Sequence, residues 1–77
     1  MITGSQIRAA KALLDWTGND LASKAGVSLS SIRRVEALDD VPKNVSVNTM
    51  LNIQKALEQA GVEFIGTPDH QPGVRLK

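Results

Sequence analysis

No cysteine occurs anywhere in the 77 residues. Disulfides are therefore excluded, and with them zinc sites built on thiolates. The same lack fits a reducing cytosol, so a cytoplasmic location is expected. There is one histidine, His70, and no group of carboxylates accompanies it in the sequence, so neither a metal nor a cofactor is expected. No apolar run reaches the roughly 18 residues that would suit a bilayer, and "MITGSQIRAAKALLDW" has no long apolar stretch of the signal-peptide kind. Neither a membrane segment nor a leader is expected. A large excess of charge is also missing, since the net charge is +1.

Enzymatic parts are scarce too. A serine nucleophile needs a base, and His70 sits in a stretch, "TPDHQP", that reads as a loop. No glycine-rich phosphate loop precedes a helix, and no carboxylate pair has metal spacing. Catalysis is not expected. At 42% hydrophobic and 22% charged, the composition is that of an ordinary globule. A chain of this length buries only about 60% of its unfolded surface. Without disulfides or metal, the expected reinforcement is oligomerisation, most simply a homodimer.

The apolar pattern is helical over most of the chain. Ile7, Ala10, Leu13 and Leu14 make a stripe for a first helix over roughly 5–15, with Ser5 as cap and Gly18 as stop. "NDLASKA" follows as a short second helix with Leu21, Ala22 and Ala25 inward, closed by Gly26 in a left-handed conformation. Ser28 caps a third helix over about 29–38. "DDVPKNVS" is a loop, after which Ser46 or Asn48 caps a fourth helix with Met50, Ile53, Leu57 and Ala60 at core spacing, ended by Gly61. "VEFIG" and "GVRLK" alternate as strands on either side of "TPDHQP". The expected architecture is mainly α, a helical unit over 1–61 with a C-terminal β-ribbon over 62–77 in the same compact body.

In "GVSLSSIRRVEA", residues 26–37, Ile32 and Val35 mark one face of the third helix at about 100° per residue. Ser30, Arg33, Arg34 and Ala37 then project from the other face, with Leu29 on the flank. Two readings compete: solvated helix charges, or side chains aimed at an anion. Residues 1–36 carry five bases (Arg8, Lys11, Lys24, Arg33, Arg34) against three acids, whereas the remainder carries four bases and five acids. That mild bias favours an anionic partner. Two short helices joined through a glycine turn form a helix-turn-helix unit, here over about 17–38. Its second helix enters a major groove N-terminus first. Arginine there can bond guanine O6 and N7 together, while leucine can touch a thymine methyl group.

"LASKAGVSLSSIRRVEA" resembles the helix-turn-helix of the phage Cro/CI-repressor class, also called the Xre class. Ala22, Gly26, Val27, Ile32, Val35 and Glu36 match its motif in order and spacing. The resemblance runs back through "QIRAAKALLDWT" and forward through "VNTMLNIQKALEQAGVEFI". It implies a Cro/CI-repressor-like domain of four to five helices and a double-stranded DNA operator as partner. It implies base contacts by Ser28, Leu29, Ser30, Arg33 and Arg34. Phosphate contacts would come from Thr17 and Gly18 at the start of the second helix and from 44–48, with Asn44, Ser46 and Asn48, at the start of the fourth. Lys43 is the best further lysine, because of its loop. The class often has glutamine where Gly18 stands, and glycine soon after the glutamate where this chain reads "EALDDVP". The third helix is therefore expected to be longer by about a turn, with Asp39 and Asp40 at its exit.

The expected function is a sequence-specific, autoregulatory transcriptional regulator that binds an inverted repeat as a dimer. Val62, Phe64, Val74 and Leu76, on one face of the ribbon, are the expected dimer seam. The alternative is a protein-interaction module, an antitoxin or a domain that binds an antagonist protein, for which DNA is secondary. Exposed strand edges of the ribbon motivate it.

Overall fold

A computed structural model describes residues 1–77 as four helices followed by a two-stranded antiparallel sheet. The helices are α1 (Gly4–Leu13), α2 (Gly18–Ala25), α3 (Leu29–Glu36) and α4 (Val47–Gln59), and the strands are β1 (Val62–Thr67) and β2 (His70–Leu76). There is no fifth helix. Twelve residues from all four helices, the N-terminal segment and β1 form a single core, with Ile7, Leu21, Ile32, Val35, Ile53, Leu57 and Val62 without exposed surface. No helix is long and apolar enough to cross a membrane.

The first helix begins earlier than Ser5. Thr3 is its cap: the Thr3 hydroxyl accepts the Gln6 N–H at 3.1 Å, and Gln6 Oε1 accepts the Thr3 N–H at 2.9 Å. Ser5 lies within the helix, where its own N–H donates to the Asp39 carbonyl. The helix stops at Leu13 because Asp15 turns the chain at φ 56° and the Trp16 N–H reaches back to the Lys11 carbonyl at 2.9 Å. Gly18 is thus the first residue of α2 and stops nothing.

The end of α2 follows expectation, with Gly26 left-handed at φ 68° and Ser28 capping α3 through the Ser31 N–H. The end of α3 does not. It closes at Glu36, two residues short of the expected 29–38. The reason lies outside the segment: Arg8 of α1 donates to the carbonyls of Glu36 and Leu38, to Ser5 Oγ and to the Asp39 carboxylate. The carbonyls of Asp39 and Asp40 receive the Ser5 and Gly4 N–H groups. Carbonyls that would continue a helix are spent on the start of α1.

Ser46, not Asn48, caps α4. Ala60 is the exposed C-terminal cap, and Ala56 takes the core position expected of it. The ribbon is longer than the alternation indicated. Pro68 and Asp69 alone form the turn, Thr67 pairs with His70, and Gly66 and Gln71 take positive φ at an irregularity in the register. His70 and Pro72 therefore belong to β2 rather than to a loop, Pro72 being tolerated because two-stranded sheets have only edges. Val62 and Phe64 of β1 face Leu76 and Val74 of β2 across the ladder, while Glu63 and Arg75 form an ion pair at 2.7 Å on the other side.

One residue absent from the sequence reasoning ties these parts together. Gln6, 4% exposed, donates through Nε2 to the carbonyls of Ile65 at 3.2 Å and Gly73 at 2.9 Å, in addition to closing the cap of α1. Truncating it leaves the buried Thr3 N–H and two half-buried carbonyls without their partner, where a fully buried unsatisfied group costs about 1–3 kcal/mol. Gln6→Ala is expected to lose about 3 kcal/mol of stability in urea unfolding, and Gln6→Glu to lose at least as much at neutral pH, since a carboxylate cannot donate to two carbonyls. A loss under about 1 kcal/mol for both would show that water replaces the amide.

Candidate nucleic-acid interface

The surface of α3 divides cleanly. Ile32 and Val35 are fully buried, whereas Ser30, Arg33, Arg34 and Ala37 are exposed. Ser28 is exposed as well, though its hydroxyl is engaged with the N–H and hydroxyl of Ser31, at 3.1 and 3.0 Å. Leu29 is half-buried and packs against the core, so it stands partly in and partly out. The division follows from the helical period: α3 has the strongest segregation of apolar from polar residues in the chain.

Charge availability is decided by pairing, not by count. The ion pairs are Arg8 with Asp39, Lys11 with Glu36 at 2.8 Å, and Arg75 with Glu63. Arg8 and Lys11, two of the five bases in the first half, are thus consumed inside the fold. The Glu36 carboxylate is nearly enclosed, and one of its oxygens has no aligned hydrogen bond although the Lys11 ammonium compensates its charge. Arg33 and Arg34 belong to no ion pair and keep their full donor capacity. Asp39 and Asp40 do not face α3's leading end. They sit beyond the C-terminal end of α3, over the start of α1.

Of the residues expected at phosphates, Thr17 and Gly18 are brought to α3. They line a shallow recess of about 270 Å³ with Lys11, Asn19, Leu29 and Arg33, floored by Ile32 and Glu36. Thr17 is also occupied structurally, since its hydroxyl accepts the Asp20 N–H and its N–H donates to Asp20 Oδ2 at 2.8 Å. These bonds hold the Asp20 carboxyl below the ordinary aspartate range, helped by Lys24. Asp20 already meets the positive end of α2, which works against a second anion there.

The sign of the pH effect follows. A carboxyl whose folded value lies below its unfolded one stabilises fully above about pH 4, and that stability is lost as pH falls through the folded value. Asp20→Asn is expected to flatten the acid limb of a melting curve taken between pH 6 and pH 2.5. An unchanged acid limb would assign acid sensitivity elsewhere, for example to Glu63, whose carboxyl Arg75 holds down.

Lys43, Asn44, Ser46 and Asn48 form a separate group at the start of α4 and take no part in that recess. Lys43, Asn44 and Asn48 are exposed, Asn44 at a left-handed φ of 60°, while Ser46 is the cap and bonds both the N–H and the hydroxyl of Thr49. The expected dimer seam needs correction. Val62 has no exposed surface, and Phe64 and Val74 pack on the protein's own core, because the ribbon lies against α1 and α4. Only Leu76 of the four, 50% exposed, is free to meet another chain. No group of three or more potential metal ligands is present.

No protein-family model matches the chain, and none of the curated proteins compared with it matches significantly.

Proposed function

We propose that this protein is a sequence-specific DNA-binding regulator of the Cro/CI-repressor (Xre) type, in a bacterial, phage or mobile-element setting, acting in the cytoplasm. The observation that carries the reading is the unpaired state of Arg33 and Arg34 on the outward face of a helix whose inner face is wholly buried. Of the four arginines, Arg8 and Arg75 are held in ion pairs, and only Arg33 and Arg34 are left available. The turn at Gly26 and the cap at Ser28 support the same reading, since they leave the first turn of α3 clear to enter a major groove.

Size supports a dimer on an inverted repeat. The domain measures 29 × 26 × 18 Å. An inverted repeat would require the two α3 helices about one helical turn of DNA apart, roughly 34 Å, a span that two domains of this size can cover. In this reading, control comes through protein concentration, as in autoregulation, or through an antagonist protein. The exposed Ile65 and Leu76 of the ribbon favour such a protein contact as a second reading, that of an antitoxin or antagonist-binding module.

The test is binding to the DNA upstream of the protein's own gene, by fluorescence anisotropy, with random duplex as control and salt varied. Preference for the upstream DNA by a factor of about 10³ or more supports the regulator. Equal, weak binding that collapses with salt would mean that only phosphates are felt and would overturn it.

A further inference from the structure

Trp16 is the only tryptophan of the chain, and there is no tyrosine. Its backbone is pinned, because its N–H donates to the Lys11 carbonyl at 2.9 Å and the next residue, Thr17, caps α2. The side chain packs against the core yet stays half-exposed. It lines a recess of about 230 Å³ together with Lys24 of α2 and with Ala56, Gln59 and Ala60 at the end of α4. None of these residues belongs to the candidate DNA surface or to the ribbon.

The recess is uneven in its chemistry. An indole and two alanine methyl groups offer apolar contact, and the Lys24 ammonium is the only charged group among the lining residues. Lys24 is exposed and belongs to no ion pair. Asp15 and Glu58, next to Trp16 and Gln59 in the chain, do not line the recess. Asp20, one turn before Lys24, is engaged by Thr17. The last turn of α4 adds a partial negative charge of about half a unit, which the full charge of the ammonium outweighs. The volume lies below the roughly 300–1,000 Å³ of sites for drug-sized ligands, so it suits a single ring with a short arm. A flat ring gains from stacking on the indole beyond the area it buries. A carboxylate on the arm meets Lys24, whereas an amine there would be repelled.

We propose that this recess binds small aromatic monocarboxylates, such as phenylacetate, with the ring on Trp16 and the carboxylate at Lys24. The site is separate from the DNA-binding function proposed above, and neither depends on the other.

The test is a titration of the intact protein with sodium phenylacetate at constant ionic strength, read by the fluorescence of Trp16. A saturable change is expected, with a dissociation constant of about 1–10 mM for a ligand of roughly ten heavy atoms. The Trp16 indole N–H and the Ala60 amide should shift in NMR spectra with the same constant. Phenylacetamide, neutral and of the same size, should bind about two- to fivefold more weakly, the worth of an exposed ion pair. Lys24→Met should bind acid and amide alike. Ala60→Met, which fills the recess from an exposed position, should lose binding of both while circular dichroism shows the fold intact. No saturable change up to about 50 mM phenylacetate would overturn the proposal. So would equal affinity for acid and amide, a preference for the acid that survives in Lys24→Met, or undiminished binding by Ala60→Met. Should Ala60→Met fold poorly, the comparison of acid with amide on the unaltered protein and on Lys24→Met still decides.

Discussion

Gly4→Ala is expected to destabilise the domain severely, although alanine is the better helix former. A Cβ at this position would overlap the Leu38 carbonyl oxygen and stand 2.6 Å from that of Val35. Both are backbone atoms, so no side chain can swing aside to make room. Nor can the end of α3 retreat freely. Val35 is fully buried, Arg8 holds the Glu36 and Leu38 carbonyls, and the Gly4 N–H itself donates to the Asp40 carbonyl at 3.0 Å. Relief requires α1 and α3 to part. Overpacking usually costs about 1–3 kcal/mol when side chains can adjust. Here the cost should lie above that range, at about 4 kcal/mol, in a domain whose whole stability for its length is roughly 4–12 kcal/mol. Thermal melting should fall by at least ~15 °C. Gly73→Ala is the control, since a Cβ there meets nothing within 4 Å and should change stability by under about 0.5 kcal/mol. A Gly4→Ala protein melting within a few degrees of the parent would show that the α1–α3 junction can open at little cost.

That junction also marks where reading the chain as a string stops working. The cap at Ser28, the left-handed Gly26 and the inward pair Ile32 and Val35 were legible because each depends on neighbours within one or two turns. The start of α1 and the end of α3 depend on each other across about thirty residues, through Arg8 and the Gly4 and Ser5 N–H groups. No local signal reports that closure. Part of the miss was avoidable: Thr3 and Gln6 have the spacing of a capping box, and that signature was on view. The second role of Gln6, as donor to both strands, was not.

The candidate site divides the same way. Which residues of α3 face outward was readable from the period alone. Which cations are free was not, because Lys11 and Glu36 meet only when α1 packs on α3. The ribbon face was misjudged for a related reason. Alternation identifies a face with Val62 and Phe64 but cannot say whether helices of the same chain or a second chain will cover it. Here the chain's own helices cover most of it.

The double replacement Arg33→Ala/Arg34→Ala should remove selective DNA binding and leave the fold standing. Both side chains are exposed and make no ion pair, so their loss affects stability only through the small attraction of cations to a helix C-terminus, a few tenths of a kcal/mol each. Alanine's helix propensity offsets part of that. Binding is another matter. An arginine that grips a guanine contributes about 1–3 kcal/mol of discrimination, so the pair should lower affinity for the preferred duplex by roughly 10²–10⁴-fold. Single variants then separate the roles. Arg33 shares the recess with Leu29 and Thr17, so Arg33→Ala should relax the preference at one base pair, and Arg33→Lys should not restore it, because an ammonium lacks the planar fork. If Arg34 meets phosphate, Arg34→Ala should weaken all sequences about equally and lower the salt slope by about 0.9. Circular dichroism alongside anisotropy distinguishes lost contacts from lost structure. A folded double variant that still prefers the same duplex by the same factor would return both arginines to the status of solvated charges.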